Sequence, residues 1–240
     1  MVFLKKIIKK FLNLFGWELV KKRRPSRSNP YGKIDLKTLN CINEASGILH
    51  LGAHRGTEAE VYNWFGKSVV WVEAYPEIYE DLKNNLMFYS NQTPLLGLIS
   101  DVNDEEIDFN ISNHDAACSS MYNFTDEIKK SSLWSNRNFK MVKTIKLKTI
   151  TLDKLLSNNN INPKNFNHWI IDLQGAELKA LKGSSESIKY CKSIYVEVSE
   201  KEFYKDGAKW DEINHWLNKK NFFSEKSPSS DHEDVLFVKR

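Results

Sequence analysis

The sequence lacks the features that would place it in a membrane-spanning or a disulfide-stabilised class. None of its apolar runs approaches the roughly 20 residues that cross a bilayer, so we expect no transmembrane helix. Its three cysteines are far apart and odd in number, which favours the reduced thiols of a cytoplasmic protein over a disulfide framework. The chain has 240 residues and no internal repeat, so we expect one large domain with a short appendage.

The chain also carries little net charge, but that charge is unevenly distributed. The formal net charge is +4, and residues 1–28 hold nine of the 35 basic residues but one of the 31 acidic residues. The rest of the chain therefore has 26 basic and 30 acidic residues and is mildly acidic. Because a general nucleic-acid surface needs a basic body, we expect no nucleic-acid partner.

Residues 2–24 have the pattern of a basic amphipathic helix. Apolar residues recur at helical spacing between Phe3 and Phe15, paired lysines occupy the opposite face, and Gly16 is a suitable C-cap. The paired lysines and the missing small-residue cleavage site argue against a signal peptide. The helix is expected either to lie on an anionic membrane surface, at the inner face of the membrane, or to pack its apolar stripe on protein.

A short linker divides the chain into two parts. Residues 25–30 read PSRSNP, a composition typical of turns and linkers. We therefore predict a helix and linker at residues 1–30 and a single globular domain at residues 31–240. A helix from Lys33 to Glu44 is predicted to open this domain.

The most informative stretch has two apolar strands, a glycine turn after the first strand and an acid at the end of the second. An apolar strand at residues 48–51 leads into the turn GAHRG, and a second apolar strand from Val69 to Val72 ends on Glu73. Glycines allow a ligand to approach the backbone closely. A carboxylate at the end of the second strand can accept both ribose hydroxyl protons. The stretch therefore predicts a nucleoside-binding unit.

The helix between these strands has its own start and stop signals. Thr57 and Glu60 are spaced as a capping box, and Gly66 is placed to end the helix. The turn before it has glycines only at Gly52 and Gly56, whereas a dinucleotide fingerprint needs a third. A pyrophosphate needs its own glycine-rich cradle, so an NAD(P)-dependent oxidoreductase is the less favoured alternative.

Further motifs follow in a specific order along the chain. In order from Ile48 to Arg240 they are LHLGAHRG, VVWVEAYPEIYEDLKNN, LISD, TLDKLL, WIIDLQGAELKALKG, YVEVS and DVLFVKR. This set resembles the FkbM family of S-adenosylmethionine (SAM)-dependent methyltransferases. The resemblance implies SAM as cofactor, O-methylation as reaction, and a small-molecule or carbohydrate acceptor such as a sugar, glycolipid or polysaccharide precursor. Asp115–Met121 resembles the small, serine-rich loop of that family.

The remaining pattern predicts an α/β fold. Buried strands are predicted at residues 95–99, 169–173 and 194–198, and a closing hairpin at residues 222–223 and 235–238. Period-two alternation between residues 104 and 150 predicts an antiparallel insertion with one solvent-facing side. Alternating strands and helices predict a parallel sheet with helices on both faces. The resemblance implies a Rossmann-like class I methyltransferase with a mostly parallel seven-stranded sheet and a terminal antiparallel hairpin.

Cofactor-binding residues are predicted where the strands end. The resemblance implies the set Gly52, Ala53, His54, Gly56, Glu73, Ala74, Ser100 and Asp101. Within it, the glycine turn would cradle the methionine end of SAM, Glu73 would hold the ribose, and Asp101 would meet the adenine amino group. The alternatives are a solvated strand-end carboxylate for Glu73 and a plain turn for Asp101.

His50 departs from the pattern of the family. Most members have an acid at this position, which can interact with the amino group of the cofactor. His50 and His54 are spaced like paired metal ligands, but this spacing straddles a strand and a loop rather than one face of a helix. We therefore predict no metal site. The departure leaves a non-catalytic nucleoside-binding module as a further alternative.

Three acids are candidates for the catalytic base. Methyl transfer to an alcohol needs a group that removes the hydroxyl proton. Asp172 follows an apolar strand, where an acid is expected to have a raised pKa and to suit a general base. Glu177 lies just beyond it, and the alternative for both acids is to cap the next helix and orient the loop. Glu197 interrupts another apolar strand and is either a second site acid or an edge position that faces water.

The charge pattern of residues 2–24 gives a testable prediction. The full chain should sediment with vesicles that contain phosphatidylserine, because each base near an anionic surface contributes about 1 kcal/mol. A chain that begins at Tyr31 should stay in solution, and vesicles of neutral phosphatidylcholine serve as the control. Equal pelleting of the two chains would contradict membrane contact through this segment.

Overall fold

The structure of the chain is a computed structural model that describes residues 36–131, 134 and 138–240. The amphipathic helix predicted at residues 2–24 lies outside the described residues. The described α-helices are α1 (Leu36–Glu44), α2 (Ala59–Trp64), α3 (Pro76–Leu86), α4 (Glu127–Lys130), α5 (Leu152–Asn158), α6 (Glu177–Lys182) and α7 (Trp210–Asn218). Short 3-10 helices span Pro163–Asn165 and Ser187–Tyr190. None of these helices has the length and the hydrophobicity needed to cross a lipid bilayer.

The described strands make up two sheets. Their bounds are β1 (Ile48–Leu51), β2 (Val69–Glu73), β3 (Gln92–Leu96), β4 (Leu98–Ile99), β5 (Glu106–Ser112), β6 (Met141–Ile150), β7 (His168–Ile171), β8 (Ser193–Ser199), β9 (Phe222–Ser224) and β10 (His232–Lys239). Seven of them form one sheet in the order β3-β2-β1-β7-β8-β10-β9, in which β10 runs antiparallel to both β8 and β9. The predicted mostly parallel seven-stranded sheet with an antiparallel closing hairpin is confirmed.

The register of the central strands brings their carboxyl ends to one edge. Leu51 pairs with Val72 of β2 on one side and with Ile171 of β7 on the other, all in parallel. The residues that follow these strands therefore meet at the same edge of the sheet. In an open parallel sheet, this is the edge at which ligands bind.

The central strands are buried on both faces, which is why they read as continuous apolar runs. On one face, Leu49 and Trp169 belong to a core cluster with Leu181 of α6. On the other face, Trp71 belongs to a cluster with Leu82 of α3. Alternate side chains of β1 thus face opposite layers of helices.

The antiparallel insertion predicted from period-two alternation is also confirmed. Strands β5 and β6 pair antiparallel, and β4 pairs in parallel with the other edge of β6. Phe109 and Ile111 of β5 are buried. Lys143 and Lys146 of β6 point to solvent, where they pair with Glu77 at 3.0 Å and with Asp108 at 2.8 Å.

The third strand differs from its prediction at residues 95–99. Strand β3 already begins at Gln92, and the end of the predicted strand is the separate β4, which pairs with β6. The start of β3 was not predicted because proline, here Pro94, is unusual within a strand. Proline is tolerated at this position because β3 lies at the edge of the sheet. Gly97 separates the two strands, and its N–H donates to the Glu73 carbonyl oxygen at 2.9 Å.

The capping box predicted for α2 is wrong, whereas the predicted stop is confirmed. Glu58 occupies the N-cap without a side-chain cap bond. The Thr57 hydroxyl instead donates to the Glu58 carboxylate at 2.7 Å. Gly66 follows the helix with a φ of 64°, and its N–H donates to the Asn63 carbonyl oxygen at 2.9 Å.

Gly52 lies directly against the main chain of Asp172. Its φ is 85°, and a Cβ at this position would lie 1.7 Å from the Asp172 carbonyl oxygen. The N–H groups of Gly52 and Ala53 both donate to the Val72 carbonyl oxygen, at 2.9 and 3.0 Å. The contact between chain segments therefore already requires a glycine, independently of any ligand.

Substitution of two glycines by alanine tests this requirement. Gly52→Ala should lower the free energy of unfolding by more than about 4 kcal/mol, because steric overlap adds to the left-handed backbone cost. Gly66→Ala is the matched control, since its φ is also positive but nothing lies within 4 Å of the added Cβ. It should cost about 1–2 kcal/mol. Equal losses in urea unfolding would contradict the contact.

Candidate cofactor and methyl-transfer site

A cavity opens at the edge of the sheet where β1, β2 and β7 end. It is lined by Gly52, His54, Val72, Glu73, Ala74, Gly97, Leu98, Ile99, Phe109, Ala116, Ala117, Ser119, Met121, Asp172, Leu173, Gln174 and Ala176. Five predicted site residues, Gly52, His54, Glu73, Ala74 and Asp172, are therefore brought together on its wall.

Glu73 is buried at the end of β2 and joins two loops. Its carboxylate accepts main-chain N–H bonds from His54 at 2.8 Å, Ala74 at 2.9 Å and Tyr75 at 2.8 Å. Burial raises the pKa of Glu73, although these N–H bonds oppose the shift. A carboxylate has about four acceptor positions. One position is thus left for a ribose hydroxyl, rather than the two expected from the sequence.

Arg55 fastens a loop next to the glycine turn. Its guanidinium pairs with Asp81 of α3 at 2.8 Å and with Asp115 of the loop at 2.6 Å. His54 Nε2 also lies 2.9 Å from the Asp115 carbonyl oxygen. These contacts hold residues 113–121, which supply part of the cavity wall, against the turn.

The same loop contains an unusual run of backbone conformations. Residues 114–116 have φ values of 54°, 72° and 61°, all in the left-handed region, and none of them is glycine. Each such residue costs of order 1–3 kcal/mol, so the loop depends on its contacts. One of these is the Ser119 hydroxyl, which donates to the Ala116 carbonyl oxygen at 2.7 Å.

Asp172 follows β7, is half-buried and faces the cavity. Its Oδ1 accepts a hydrogen bond from the Gln174 side-chain amide, and the same nitrogen donates to Glu197 Oε2 at 3.0 Å. The Tyr204 hydroxyl donates to Gln174 Oε1, and the Ser120 hydroxyl donates to the Gln174 carbonyl oxygen at 2.7 Å. Gln174 is thus fixed as a bridge between the two acids.

Glu177 orients the loop after β7 and does not line the cavity. Its Oε1 accepts the N–H groups of Leu173 at 2.8 Å and Gly175 at 3.1 Å, and the residue is 2% exposed. Burial raises the pKa of Glu177 to about 7, which the N–H bonds oppose and the nearby Asp172 reinforces. The sequence left two alternatives for Glu177, a catalytic acid or a residue that orients the loop. These contacts agree with the second.

Glu197 does not line the cavity either, but contacts it through Gln174. Its Oε1 lies 2.8 Å from His232 Nε2, and His232 Nδ1 lies 2.8 Å from Ser199 Oγ. Burial raises the pKa of Asp172 and of Glu197 well above the ordinary values, and the charge of Asp234 adds to both shifts. The site therefore holds two carboxyl groups with a strong affinity for protons.

Ser100 and Asp101 do not line the cavity, although Leu98 and Ile99 directly before them do. The Asp101 carboxylate pairs with Lys179 at 2.8 Å and accepts the Ser100 hydroxyl at 3.1 Å. Burial raises the pKa of Asp101, but these two contacts outweigh it and the net shift is downward. Its contact with adenine stays a prediction.

Gly56 and Ala53 support the turn rather than the cavity wall. A Cβ on Gly56 would lie 2.8 Å from the Leu82 side chain, so this glycine packs on α3. Ala53 is 3% exposed. Of the predicted residues of the turn, Gly52 and His54 line the cavity, whereas Ala53 and Gly56 do not.

His50 does not line the cavity. Its ring stacks on Trp71 with a centroid distance of 4.6 Å, and Nδ1 lies 3.2 Å from the Tyr62 hydroxyl. His54 lines the cavity instead, so the two histidines do not converge. Within residues 36–131, 134 and 138–240, no group of three or more His, Cys, Asp or Glu side chains could hold a metal ion.

His232 is the functional candidate that the sequence analysis missed. It begins β10 and pairs in register with Ser199 of β8, 33 residues earlier in the chain. The closing hairpin was predicted, but its second strand was placed from Val235 onward, which left His232 in the preceding loop. Its contacts come from the pairing of β10 with β8, which the predicted hairpin does not include.

The residues of the cavity fit SAM. The side chains of Leu98, Ile99 and Phe109 offer an apolar surface of the kind that holds an adenine ring. Glu73 keeps one acceptor position for the ribose. Asp172 supplies a second carboxyl group to a ligand that carries positive charge.

A sheet of this strand order, with its cavity at the ends of β1 and β2, defines the class I fold of SAM-dependent methyltransferases. The family model described as "Methyltransferase FkbM domain" matches residues 50–224. The chain therefore belongs to the FkbM methyltransferase family, which uses SAM as cofactor. A search of curated protein sequences gives no match.

Several solved methyltransferase structures are similar to the chain. A TehB-like SAM-dependent methyltransferase from Corynebacterium glutamicum has 9% identity and a TM-score of 0.46, over 98% of this chain and 97% of that chain. Magnesium protoporphyrin IX methyltransferase from Synechocystis, with bound SAM, has 8% identity and a TM-score of 0.43, over 84% and 74%. Fibrillarin from Aeropyrum pernix, with natively bound SAM, has 12% identity and a TM-score of 0.42, over 82% and 68%.

The raised pKa of Glu177 gives a prediction on stability. The folded chain holds this proton more tightly than the unfolded chain, so its contribution is full below about pH 4.5 and is lost as the pH rises through about 7. Glu177→Gln keeps an acceptor oxygen for the two N–H groups but has no such loss. From about pH 5 to about pH 8, the variant should gain up to about 3 kcal/mol of unfolding free energy relative to wild type.

Urea unfolding at several pH values measures this difference. Glu60→Gln, at an exposed position of α2, controls for the loss of one negative charge. A Glu177→Gln variant that loses stability relative to wild type as the pH rises would contradict the assignment.

Proposed function

We propose that this SAM-dependent methyltransferase is an O-methyltransferase that acts on a hydroxyl group of a sugar, glycolipid or polysaccharide precursor. SAM, when bound, supplies a methyl group on a positively charged sulfur that leaves as a neutral thioether. One proton therefore has to leave the acceptor oxygen in each turnover. The chain must provide a group that takes it.

The charge of the cavity wall is the observation that carries the proposal. Glu73 and Asp172 are acidic, and the described lining residues include no lysine or arginine. A wall without lysine or arginine offers no opposite charge to the pyrophosphate of a dinucleotide, whereas carboxylates attract a cationic sulfonium when they are ionised. This contrast disfavours an NAD(P)-dependent oxidoreductase.

Asp172 is the proposed general base. It is the one of the three predicted catalytic acids that lines the cavity, and its raised pKa suits proton removal from an alcohol. Glu177 and Glu197 act from behind the wall, through the loop and through Gln174. An acceptor with a hydroxyl group is favoured because its methylation releases a proton, which a carboxyl group of this kind can take.

The position of His50 bears on the alternative of a non-catalytic binding module. His50 suggested a non-catalytic binding module, but its side chain packs against Trp71 and Tyr62. Because His50 is not among the residues that line the cavity, we favour the enzyme over this alternative. Membrane contact through residues 2–24 stays a proposal, and it would bring the enzyme to a lipid-linked acceptor.

Calorimetric titration tests the cofactor and the base together. Wild type should bind SAM and its demethylated product but not NADH. Glu73→Ala should weaken SAM binding by about 2–4 kcal/mol, because charge-assisted hydrogen bonds at the ribose and in the turn are lost. Asp172→Asn should bind SAM nearly as wild type does. On an identified acceptor, it should lose about 10²–10⁴ in turnover, the usual share of general-base catalysis.

The two variants control for each other. If Glu73→Ala binds SAM as tightly as wild type, the placement of the cofactor is wrong. A fully active Asp172→Asn would move the base elsewhere, and a variant that fails to bind SAM would make Asp172 a cofactor residue.

A further inference from the structure

The side chain of Gln174 lies between the carboxyl groups of Asp172 and Glu197. Its amide nitrogen donates to Asp172 Oδ1 and, at 3.0 Å, to Glu197 Oε2. An amide nitrogen carries two hydrogens, so each acid takes one of them. The residue is 8% exposed, and water therefore has little access to either bond.

The other end of the same amide is held by Tyr204. The Tyr204 hydroxyl donates to Gln174 Oε1, and the residue is buried. Ionised carboxyl groups accept hydrogen bonds but donate none. With its oxygen bound to Tyr204, the amide turns its nitrogen, the end that donates, toward the two acids. Tyr204 comes 30 residues after Gln174, so the tertiary structure brings the two together.

The backbone of Gln174 points to a function of this side chain. Its φ is 55°, in the left-handed region that glycine and asparagine adopt at lower cost than glutamine. The Ser120 hydroxyl donates to the Gln174 carbonyl oxygen at 2.7 Å and helps to hold this conformation. Backbone strain of this kind is found at functional sites, where the surrounding structure maintains it.

We propose that Gln174 is the positioning residue of Asp172: its side-chain amide, held by the Tyr204 hydroxyl, stabilises the charged carboxylate that takes the proton of the acceptor. The inference rests on the proposed function, in which Asp172 is the general base. In that reaction the acceptor oxygen gains the methyl group as its O–H bond breaks, and the proton passes to the Asp172 carboxylate. A carboxyl group that is already protonated cannot take it.

The surroundings of Asp172 oppose its ionisation, and Gln174 acts against them. Burial raises the pKa of Asp172 most, and the charges of Glu197 and Asp234 add to the rise, whereas the hydrogen bond from Gln174 lowers the pKa. The titratable groups near Asp172 are Glu177 of α6, Glu197 of β8, Tyr204 of the loop after β8, and His232 and Asp234 of β10. Burial lowers the pKa of His232, so this ring supplies little positive charge at neutral pH. The amide of Gln174 thus does for Asp172 what a neighbouring cation would do.

NMR of the full-length wild-type protein tests the contact directly. The Asp172 carboxyl ¹³C signal and the Gln174 side-chain N–H signals are followed from about pH 4 to about pH 9. The amide signals should shift at the same midpoint as Asp172, because protonation of a carboxylate weakens the hydrogen bond that it accepts. Gln174 signals that do not change at the Asp172 midpoint would overturn the proposal. This measurement needs no variant to fold.

The variant Gln174→Met removes the donor but keeps the length of the side chain. The protonation midpoint of Asp172 should rise by about one pH unit or more relative to wild type. Gln92→Met is the matched control, because Gln92 is the other glutamine of the chain, is also buried, and forms side-chain hydrogen bonds with Trp71 and Ala59. A midpoint that is unchanged in Gln174→Met, or that rises equally in Gln92→Met, would overturn the proposal.

The variant Tyr204→Phe tests the hold on the amide with a smaller change. It removes the hydroxyl but keeps the ring, which packs on Phe124 with a centroid distance of 5.3 Å. The Asp172 midpoint should rise by less than in Gln174→Met, because the amide is retained but loses the contact that orients it. Tyr62→Phe, which removes another buried tyrosine hydroxyl, 3.2 Å from His50 Nδ1, is the control. A midpoint in Tyr204→Phe equal to that of wild type would overturn the part assigned to Tyr204.

Calorimetric titration with SAM separates this inference from the proposed function. A wild type that does not bind SAM overturns the proposed function, and the positioning role with it. If wild type binds SAM but the Asp172 midpoint is the same in Gln174→Met, the positioning role alone is overturned. On an identified acceptor, the pH of half-maximal turnover should rise in Gln174→Met by as much as the Asp172 midpoint, since only the charged base takes a proton. An unchanged pH profile would also overturn the role.

Discussion

The close approach of Gly52 to the main chain of Asp172 is the constraint on which the site depends. It lets the ends of β1 and β7 meet without a side chain between them, and both residues line the cavity. Glu73 fastens the same turn to the end of β2 through the N–H of His54. Three strand ends are thereby held in one arrangement. The glycine turn is first a packing requirement, and the room for a ligand follows from it.

The site concentrates carboxyl groups where they are costly to ionise. Asp172, Glu177 and Glu197 all have raised pKa values because of burial. A fold selected for stability alone would fill these positions with apolar side chains. The hydrogen bonds from Gln174 and from the main chain offset part of the cost. Under the proposed function, the arrangement provides in return a base next to the methyl donor, which is the usual compromise between stability and function.

Most of the sheet could be predicted from the sequence because its buried strands have long apolar runs with clear ends. The start of β3 could not, since Pro94 is tolerated only because that strand is at the edge, a fact of tertiary structure. The role of Glu177 was left open because a loop orienter and a catalytic acid have the same sequence pattern. Asp101 shows the same limit, because its pairing with Lys179 joins residues 78 positions apart. The position of His232 depends on the pairing of β10 with β8, which joins residues 33 positions apart and cannot be read from either strand alone.

The register of β10 has a consequence for how the family can vary. Val235 and Phe237 are 1% and 0% exposed, and they fix the strand against β8, with His232 opposite Ser199. A slip by one residue would turn both apolar side chains to the wrong face, so the pairing is strongly preferred. The loop at residues 225–231 is not needed to set it. Insertions and deletions in that loop should therefore be absorbed without displacing the histidine, and loop length there is free to drift while the site stays intact.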